Sequence, residues 1–252
     1  MSAVALNSFL YRRLCRWITC SFQLPFGARV ALRTKHDIAS AQDVFCHPYY
    51  WQLYSWLPAA PGLVVDAGAN CGHFTILLET CTRIAFGRSD TRYLLVEPNP
   101  KLIPVLAANL ERAGIAGRYS IIEGLLGEKS GSSTLWVHPK NFLASSIRPL
   151  HGARGRSVSF VDVLPLLGRD AIDVLKLDIE GGEYPFVQHN GDVLARSNLV
   201  IMEVHDAPDA TQAQMFSAVQ AAGLRPLGRP VDADGLRMRA WSRVPGPGAA
   251  SW

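Results

Sequence analysis

The 252-residue chain is 48% hydrophobic and 18% charged, which excludes a wholly disordered protein and provides enough apolar residues for one large α/β core. Its first 60 residues carry the whole formal net charge of +4, so the rest of the chain is electrically balanced. This balance disfavours a nucleic acid as substrate or partner, because nucleic-acid enzymes usually spread basic residues around the cleft that receives the phosphates.

The cysteines and the apolar runs bear on the cellular compartment. Five cysteines are present, an odd number with no Cys-x-x-Cys pair, which argues against a disulfide framework and against a structural zinc site. No apolar run approaches the roughly 18 residues that a membrane-spanning helix requires. Arg12, Arg13 and Arg16 follow the short N-terminal apolar stretch, whereas a signal peptide would place them before it. We therefore expect a cytoplasmic protein.

An N-terminal helical extension or cap is predicted over residues 1–60. Residues 6–22 can form an amphipathic helix with leucines on one side and Arg12 and Arg16 on another. Such a helix would pack on its own domain, which is the commoner arrangement, or lie on an anionic membrane surface as a peripheral contact. The aromatic residues within 44–56 predict a packed helical cap, and an alternative role for their rings is to line an acceptor pocket.

Alternating apolar runs and helical patterns predict an α/β domain over residues 61–244, with a doubly wound, mainly parallel sheet. Seven strands are predicted, at residues 63–67, 93–97, 120–123, 172–178, 199–205, 224–227 and 236–241. The clearest helices are predicted at residues 100–113, 183–195 and 210–222. Short β-rich segments at 133–137 and 157–161 predict an inserted hairpin. Residues 245–252, which are rich in proline and glycine, are predicted to form a flexible tail.

Residues 64–75 indicate a buried strand that leads through a glycine-containing turn into a helix, an arrangement typical of a nucleotide-type ligand site. Gly68 and Gly72 lack a Cβ atom, so the backbone there can adopt positive φ and approach a ligand closely. Asp66, at the end of the strand, can accept hydrogen bonds from a ligand. The Gly-x-Asn-x-Gly spacing around Asn70 departs from the dinucleotide fingerprint and favours a ligand with an amino acid end.

A carboxylate ends the second predicted strand at Glu97, at a spacing from the glycines that suits recognition of both ribose hydroxyls. Asn99 beside it and Glu123 at the end of the third predicted strand complete the predicted cofactor contacts. Together with the glycine turn, these residues predict a nucleoside ligand with an amino acid end.

The connection between the two inserted strands, residues 138–156, is predicted to be a flexible lid or rim. Its basic side chains include Arg154 and Arg156. Two alternatives stay open for them, namely contact with an anionic group of the acceptor and plain solvation.

Acidic and imidazole side chains end the fourth and fifth predicted strands, where open α/β sheets place their ligands. Asp178 and Glu180 follow the fourth strand, and Glu203 and His205 end the fifth. Asp178 ends a long apolar run, where an unpaired carboxylate would be costly, and Lys176 on the same strand face is a simple partner for it. The spacing has no strong metal signature, so no metal is assigned.

Four segments in a consistent order resemble the FkbM family of S-adenosylmethionine-dependent methyltransferases, namely residues 64–75, 96–99, 175–183 and 202–205. The resemblance covers roughly residues 33–227 and implies a class I, Rossmann-like fold with S-adenosylmethionine as the cofactor. It also implies methyl transfer to a hydroxyl of a small-molecule, glycan or lipid acceptor, such as a sugar, a glycolipid or a polyketide-like compound.

Under this interpretation, a hydroxyl acceptor requires a base that removes its proton. His205 is the first candidate, since an unperturbed imidazole has a pKa of about 6.5, and Asp178 and Glu180 are the next. A nicotinamide-dependent oxidoreductase is an alternative, opposed by the missing third glycine of the dinucleotide fingerprint. A non-catalytic S-adenosylmethionine-binding module is another. The oligomeric state is not predicted.

Overall fold

Strands and helices alternate along most of the chain in a computed structural model, which describes residues 20–33, 35–138, 141–149, 151–205, 211–228, 231–233 and 236–244. The described strands, in chain order, are β1 (Cys20–Gln23), β2 (Arg29–Leu32), β3 (Leu63–Ala67), β4 (Arg92–Glu97), β5 (Tyr119–Glu123), β6 (Ser132–His138), β7 (Asn141–Ser146), β8 (Arg154–Ser159), β9 (Ile172–Leu177), β10 (Ser197–Glu203), β11 (Arg225–Pro226), β12 (Val231–Ala233) and β13 (Leu236–Ser242). The described α-helices are α1 (Lys35–Ala41), α2 (Pro48–Trp51), α3 (Leu53–Trp56), α4 (His73–Phe86), α5 (Ile103–Arg112), α6 (Glu183–His189), α7 (Gly191–Ala195) and α8 (Gln212–Ala221).

A mixed sheet forms the centre of the fold, with seven strands in the order β11-β13-β10-β9-β3-β4-β5 and with β12 also paired to β13. The strands from β10 to β5 in this order are parallel, whereas β13 runs antiparallel to β10. The prediction of a doubly wound, mainly parallel, seven-stranded α/β sheet is confirmed. The chain moves outward from β3 to β4 and β5 and returns to β9 on the other side, so a topological switch point lies between β3 and β9.

Two apolar cores cover the two faces of this sheet. On one face, Val64 and Val174 pack with residues of α4 and α5, and on the other, Val65 and Leu175 pack with residues of α6, α7 and α8. Successive residues of a strand point to opposite faces. In a strand that is buried on both faces, every residue is therefore apolar or nearly so, and the sequence shows a continuous apolar run. This is why β3 and β9 are recognisable in the sequence.

The described part of the N-terminal segment contains strand as well as helix. β1 and β2 form an antiparallel hairpin in which Cys20 lies opposite Leu32. The predicted helix at residues 6–22 is therefore wrong for its last three residues, and its remainder lies outside the described residues. Cys20 and Phe22 pack against the core whereas the residues after each of them are exposed, a period of two that defines a strand.

The aromatic segment forms the short helices α2 and α3. Tyr49 and Trp56 are buried, with ring centroids 5.3 Å apart in an edge-to-face arrangement. Tyr50 is also buried and meets the ring of Phe74 in α4 at 5.8 Å. These rings therefore form part of the core on the α4 face of the sheet.

The inserted segment forms a three-stranded antiparallel sheet in the order β7-β6-β8. The pairing of β6 with β8 agrees with the predicted hairpin, although β8 begins and ends earlier than predicted. The prediction of a flexible lid at residues 138–156 is wrong where β7 pairs with β6. A small separate cluster of Leu125, Leu135 and Val158 gives this sheet its own apolar core.

Several boundaries differ from the predicted ones. The predicted helix at residues 183–195 is interrupted at Asn190, whose φ of −121° and ψ of 39° separate α6 from α7. The side-chain amide of Asn190 donates to the carbonyls of Gly127 and Phe186, which stabilises the break. β9 and β10 also end earlier than predicted, so Asp178 and His205 lie in the loops that follow them.

The predicted tail at residues 245–252 lies outside the described residues. Among the residues that are described, no helix has both the length and the apolar character needed to cross a bilayer.

A buried ionic network joins α4 to the strands beside it. Glu79 is only 1% exposed, and its carboxylate accepts hydrogen bonds from Arg118 at 2.6 Å, Arg83 at 2.7 Å and the Tyr93 hydroxyl at 2.8 Å. Burial alone would raise the pKa of Glu79, but the hydrogen bonds from Arg118 and its neighbours lower it overall. The folded state therefore contains an ionised, fully paired carboxylate.

We predict that Arg118→Met lowers the free energy of unfolding by about 3 kcal/mol, because it leaves a buried carboxylate short of charged donors. Urea unfolding measures the change. Arg92→Met is the matched control, since Arg92 pairs with Asp170 at 2.7 Å on the surface, and its loss should cost less than about 1 kcal/mol. Equal losses in the two variants would contradict the prediction.

Candidate active site

An open cavity lies at the carboxyl ends of β3, β4 and β9, at the switch point of the sheet, and its empty space is about 540 Å³ when the solvent at its mouth is included. Its floor and sides come from the turn after β3, the end of β4 and the turn after β9, and the inserted sheet supplies a roof. The residues that line these parts include Gly68, Asn70, Glu97, Asp178, Glu180, Ser145, Ser146 and Ile147.

Gly68 brings the turn after β3 into direct backbone contact with the turn after β9. Its φ is +72°, and a Cβ atom added there would lie 1.7 Å from the carbonyl oxygen of Asp178, so only glycine fits. Asn70 also has a positive φ, of 50°. Its side-chain oxygen is buried and has no hydrogen-bond partner among the described residues. In the wall of a cavity, such an unsatisfied acceptor suits a ligand donor.

Glu97 is held in place by two backbone amides. Its Oε2 accepts the N–H of Asn70 at 2.8 Å, and its Oε1 accepts the N–H of Asn99 at 2.8 Å. Burial raises the pKa of Glu97 to about 7, although these two hydrogen bonds act in the opposite direction. The remaining lone pairs of the carboxylate are available to a hydroxyl-bearing ligand.

Asp66 and Gly72, both predicted cofactor contacts, lie beneath the cavity wall. Asp66 is fully buried, and its Oδ2 accepts the hydroxyl of Thr75 at 2.7 Å. A Cβ atom at Gly72 would lie 2.7 Å from Leu106, so this glycine allows close packing of α4 against α5. Both residues support the shape of the turn from below.

Asn99 and Glu123 also lie away from the cavity wall. Asn99 is buried, and its backbone amide is one of the two that hold Glu97. Glu123 is exposed and pairs with Arg156 of the inserted sheet at 2.9 Å. The structure therefore brings together Gly68, Asn70 and Glu97 in the wall and leaves the other predicted cofactor residues in supporting positions.

Asp178, Glu180, Glu183, Glu203 and His205 form a carboxylate–imidazole cluster beside the cavity. Nδ1 of His205 lies 3.0 Å from Oε1 of Glu183. Nε2 of His205 lies 3.5 Å from Oε2 of Glu180 and 3.9 Å from Oε1 of Glu203. Glu183 is buried and is also held by backbone amides of the turn after β9. The imidazole therefore has a carboxylate at each of its nitrogens.

The charges of the cluster change its pKa values. Burial alone would lower the pKa of His205, but the hydrogen bond to Glu183 and the charges of Glu183, Asp178 and Glu180 raise it to about 10. Burial and repulsion from Asp178 raise the pKa of Glu203 to about 8 and that of Glu180 to about 7. The expectation that His205 titrates near its ordinary value is wrong. At neutral pH it is an imidazolium ion, which donates hydrogen bonds and accepts no proton.

Asp178, Glu203 and His205 each place one ligand atom within 4.8 Å of the others, a spacing that ligands of one metal ion can adopt. In the cluster as it stands, the imidazolium ion of His205 and the ammonium group of Lys176, 3.3 Å from Asp178, supply positive charge at this place. No metal is assigned to these residues, and the sequence-based expectation of none stays a prediction.

The roof meets the turn after β9 through a serine. The hydroxyl of Ser146 makes a weak, 3.4 Å hydrogen bond to the carbonyl of Glu180 and accepts the N–H of Arg148 at 3.0 Å. Arg154 and Arg156, for which contact with an anionic group of the acceptor was one of two open alternatives, are exposed and do not line the cavity.

The predicted pairing of Lys176 with Asp178 is confirmed, but sequence reasoning missed the contact of Lys176 with Asp66 and that of Glu183 with His205. The ammonium group of Lys176 lies within ion-pair distance of both Asp66 and Asp178. A signal for this was present, because a lysine inside an apolar strand requires buried partners. No such signal marks Glu183, whose partner His205 is 22 residues away in the chain.

The sequence matches the family model described as "Methyltransferase FkbM domain" over residues 66–241, more than half of the chain. The chain belongs to the FkbM methyltransferase family. The predicted family is therefore confirmed, and this membership rejects the alternative of a nicotinamide-dependent oxidoreductase. No curated protein matches the sequence.

Solved structures of similar fold include a methyltransferase FkbM from Methylobacillus flagellatus KT, with 18% identity, a TM-score of 0.50, and coverage of 78% of this chain and 50% of that one. The cofactor-bound protein Rv0187 from MTB has 14% identity, a TM-score of 0.47, and coverage of 96% and 91%. The O-methyltransferase TomG from Streptomyces achromogenes, in complex with SAM, has 15% identity, a TM-score of 0.46, and coverage of 82% and 87%. This chain thus spans half the length of the first structure, and the likeness to that structure shows the fold alone.

We predict that Gly68→Ala in this FkbM-family chain lowers the free energy of unfolding by at least about 2 kcal/mol more than Gly87→Ala does. Both glycines have similar positive φ values, +72° and +75°, so the backbone strain of an alanine is the same at both positions. Only the methyl group at position 68 meets another backbone, whereas nothing lies within 4 Å at position 87. Urea unfolding compares them, and equal losses would show that the contact is unimportant.

Proposed function

We propose that the chain is an S-adenosylmethionine-dependent O-methyltransferase that acts on a hydroxyl of a sugar, glycolipid or polyketide-like small molecule. One observation supports this most: a single cavity joins Gly68, Asn70 and Glu97 to the acidic residues Asp178 and Glu180. Methyl transfer is an in-line displacement, so methyl donor and acceptor must occupy adjoining parts of one cavity. Membership of the FkbM family supports the reaction class, and the sequence resemblance supports the acceptor class.

The cavity wall has residues that fit S-adenosylmethionine, which supplies a methyl group on a positively charged sulfur atom. Glu97 accepts hydrogen bonds from the ribose hydroxyls. The unsatisfied side-chain oxygen of Asn70 accepts a hydrogen bond from the amino acid end. Gly68 lets the backbone approach the ligand without an intervening side chain. Asp66, Gly72, Asn99 and Glu123 act in this proposal by supporting the wall.

The carboxylate–imidazole cluster is assigned to the acceptor. Asp178 and Glu180 line the cavity and orient the acceptor hydroxyl. Glu203 takes the proton, because one of its carboxylate oxygens lies within 4.8 Å of an oxygen of Asp178 at the cavity wall and its pKa of about 8 makes its ionised form a stronger base than an ordinary carboxylate. His205, as an imidazolium ion between Glu183 and the other carboxylates, holds the cluster together and favours the ionised form of Glu203. Asp178 and Glu180 thus remain proposed catalytic residues, His205 becomes a positioning residue, and the role of the base moves to Glu203.

Domain organisation and cellular context are further parts of the proposal. The extension at residues 1–60 precedes a catalytic domain at 61–244, and 245–252 form a tail. Composition and charge support a cytoplasmic enzyme with no nucleic-acid partner. The membrane-surface alternative for residues 6–22 concerns mainly residues outside the described part of the chain.

We predict that the affinity for S-adenosylmethionine falls about tenfold for each pH unit below about 7, because a protonated Glu97 accepts hydrogen bonds poorly and its pKa is about 7. The effect appears on acidification, since the ionised form is the one that binds. Calorimetry between about pH 6 and pH 8 measures it. The neutral variant Glu97→Gln should bind about tenfold more weakly at pH 8 and lose this pH dependence. Wild-type affinity in this variant would count against the cofactor site.

The reaction itself is tested with methyl-labelled S-adenosylmethionine and fractionated cell extract as the acceptor source. We predict that label enters a small-molecule fraction at a rate that rises with pH up to about 8, as Glu203 loses its proton. Glu203→Gln should lower the rate by about 10² to 10⁴ and remove this rise.

Glu128→Gln is the matched control for that experiment, because Glu128 faces His189 at 3.3 Å in a similar pair on the exposed surface. Its rate should equal that of the unmodified chain. Binding of S-adenosylmethionine without transfer of label to any fraction would favour the non-catalytic binding module instead.

A further inference from the structure

Lys176 is a buried cation at the centre of the sheet. It lies in β9, between Asp66 of β3 and Ile201 of β10, and is only 4% exposed. An ammonium group in this position is strongly destabilising unless it is fully paired. Its partners therefore indicate what the residue is for.

The ammonium group makes one hydrogen bond and has two carboxylates within ion-pair distance. It donates to the carbonyl of Gly68 at 2.8 Å and lies 3.4 Å from Oδ1 of Asp66 and 3.3 Å from Oδ2 of Asp178. Asp66 lies beneath the cavity, whereas Gly68 and Asp178 belong to its wall. A single cation thus contacts the turn proposed for the cofactor and a carboxylate proposed for the acceptor.

Gly68 and Asp178, the two residues of the cavity wall that Lys176 contacts, are close to each other in space. The backbones at Gly68 and Asp178 already touch, because a Cβ atom at position 68 would lie 1.7 Å from the Asp178 carbonyl. The backbone contact leaves the Asp178 carboxylate free to rotate, and Lys176 is the cation within ion-pair distance of it among the described residues. The direction of this side chain relative to Gly68 therefore depends on Lys176.

We propose that Lys176 is a positioning residue, which fixes the Asp178 carboxylate relative to the cofactor turn and so aligns the acceptor with the methyl donor. The inference rests on the proposed function. Lys176 lies below the cavity wall and does not contact either substrate. Misplacing an acceptor by about 1 Å can cost 10²-fold in rate, which is the scale of effect that such a residue controls.

A purely structural role would be to neutralise the buried carboxylate of Asp66. Two variants separate the roles. Lys176→Met alone leaves Asp66 buried and without an ionic partner. The informative variant is therefore Asp66→Asn/Lys176→Met, which removes both charges. In this variant the Thr75 hydroxyl can still donate a hydrogen bond, to the amide oxygen of the new asparagine. Asp66→Asn alone is the matched control, since Lys176 can still contact Gly68 and Asp178 there.

The experiment measures binding of S-adenosylmethionine by calorimetry and transfer of its labelled methyl group to the extract fraction. The double variant should melt close to the unmodified chain and keep its KM for the cofactor within about threefold. Its kcat should be about 10- to 100-fold lower. Asp66→Asn alone should keep most of the rate. A double variant with unmodified kcat, or an Asp66→Asn variant as slow as the double, would overturn the inference.

Asp178→Asn supplies a second test. If Lys176 acts through Asp178, the triple variant Asp66→Asn/Lys176→Met/Asp178→Asn should have the same kcat as Asp178→Asn alone. Additive losses of kcat would overturn the inference. Should the double variant fail to fold, Asp66→Asn/Lys176→Gln replaces it, since a neutral amide can still donate to the carbonyl of Gly68. Loss of kcat at a melting temperature close to that of the unmodified chain then supports positioning, and unmodified kcat overturns it. Failure of the unmodified chain to bind S-adenosylmethionine or to transfer label would instead refute the proposed function.

Discussion

The contact between the backbones of Gly68 and Asp178 is the constraint on which the site depends. β3 and β9 are parallel neighbours, so the loops that leave them emerge at the same edge of the sheet. Because no side chain separates the two loops at this point, one cavity wall presents glycine-turn backbone beside acidic side chains. A reaction that needs a methyl donor next to an acceptor is suited to this arrangement.

Negative charge is the second organising feature. Among the residues that the structure describes, five carboxylates share this region with two cations, namely Asp66, Asp178, Glu180, Glu183 and Glu203 with Lys176 and His205. Two effects reduce the excess negative charge. Glu180 and Glu203 stay protonated up to about pH 7 and pH 8, and His205 carries a positive charge. A methyl donor with a positively charged sulfur atom is electrostatically favoured beside such a group, and the product, whose sulfur atom is neutral, is favoured less.

Sequence reasoning succeeded where local patterns determine structure. The parallel strands are visible because residues buried on both faces give continuous apolar runs, and Gly68, Asn70 and Glu97 are visible because turn geometry and strand ends have characteristic residues. It failed where partners come from distant segments. The protonation of His205 depends on Glu183, and the burial of Asp66 depends on Lys176, neither of which lies nearby in the chain. The strand at Cys20–Gln23 was missed because four residues of alternating burial are too few to outweigh an amphipathic pattern that ends there.

The roof of the cavity belongs to a sheet that is separate from the one supporting its floor. β6, β7 and β8 have their own apolar cluster, and residues at the end of β7 complete the upper wall. The strand order and the close backbone contact that shape the floor involve none of these three strands. Within the proposed function, the roof is therefore the part of the cavity whose residues can change without changing the strand order or the backbone contact that shape the floor. A link between the two parts that the structure shows is the side-chain contact of Ser146 with the carbonyl of Glu180.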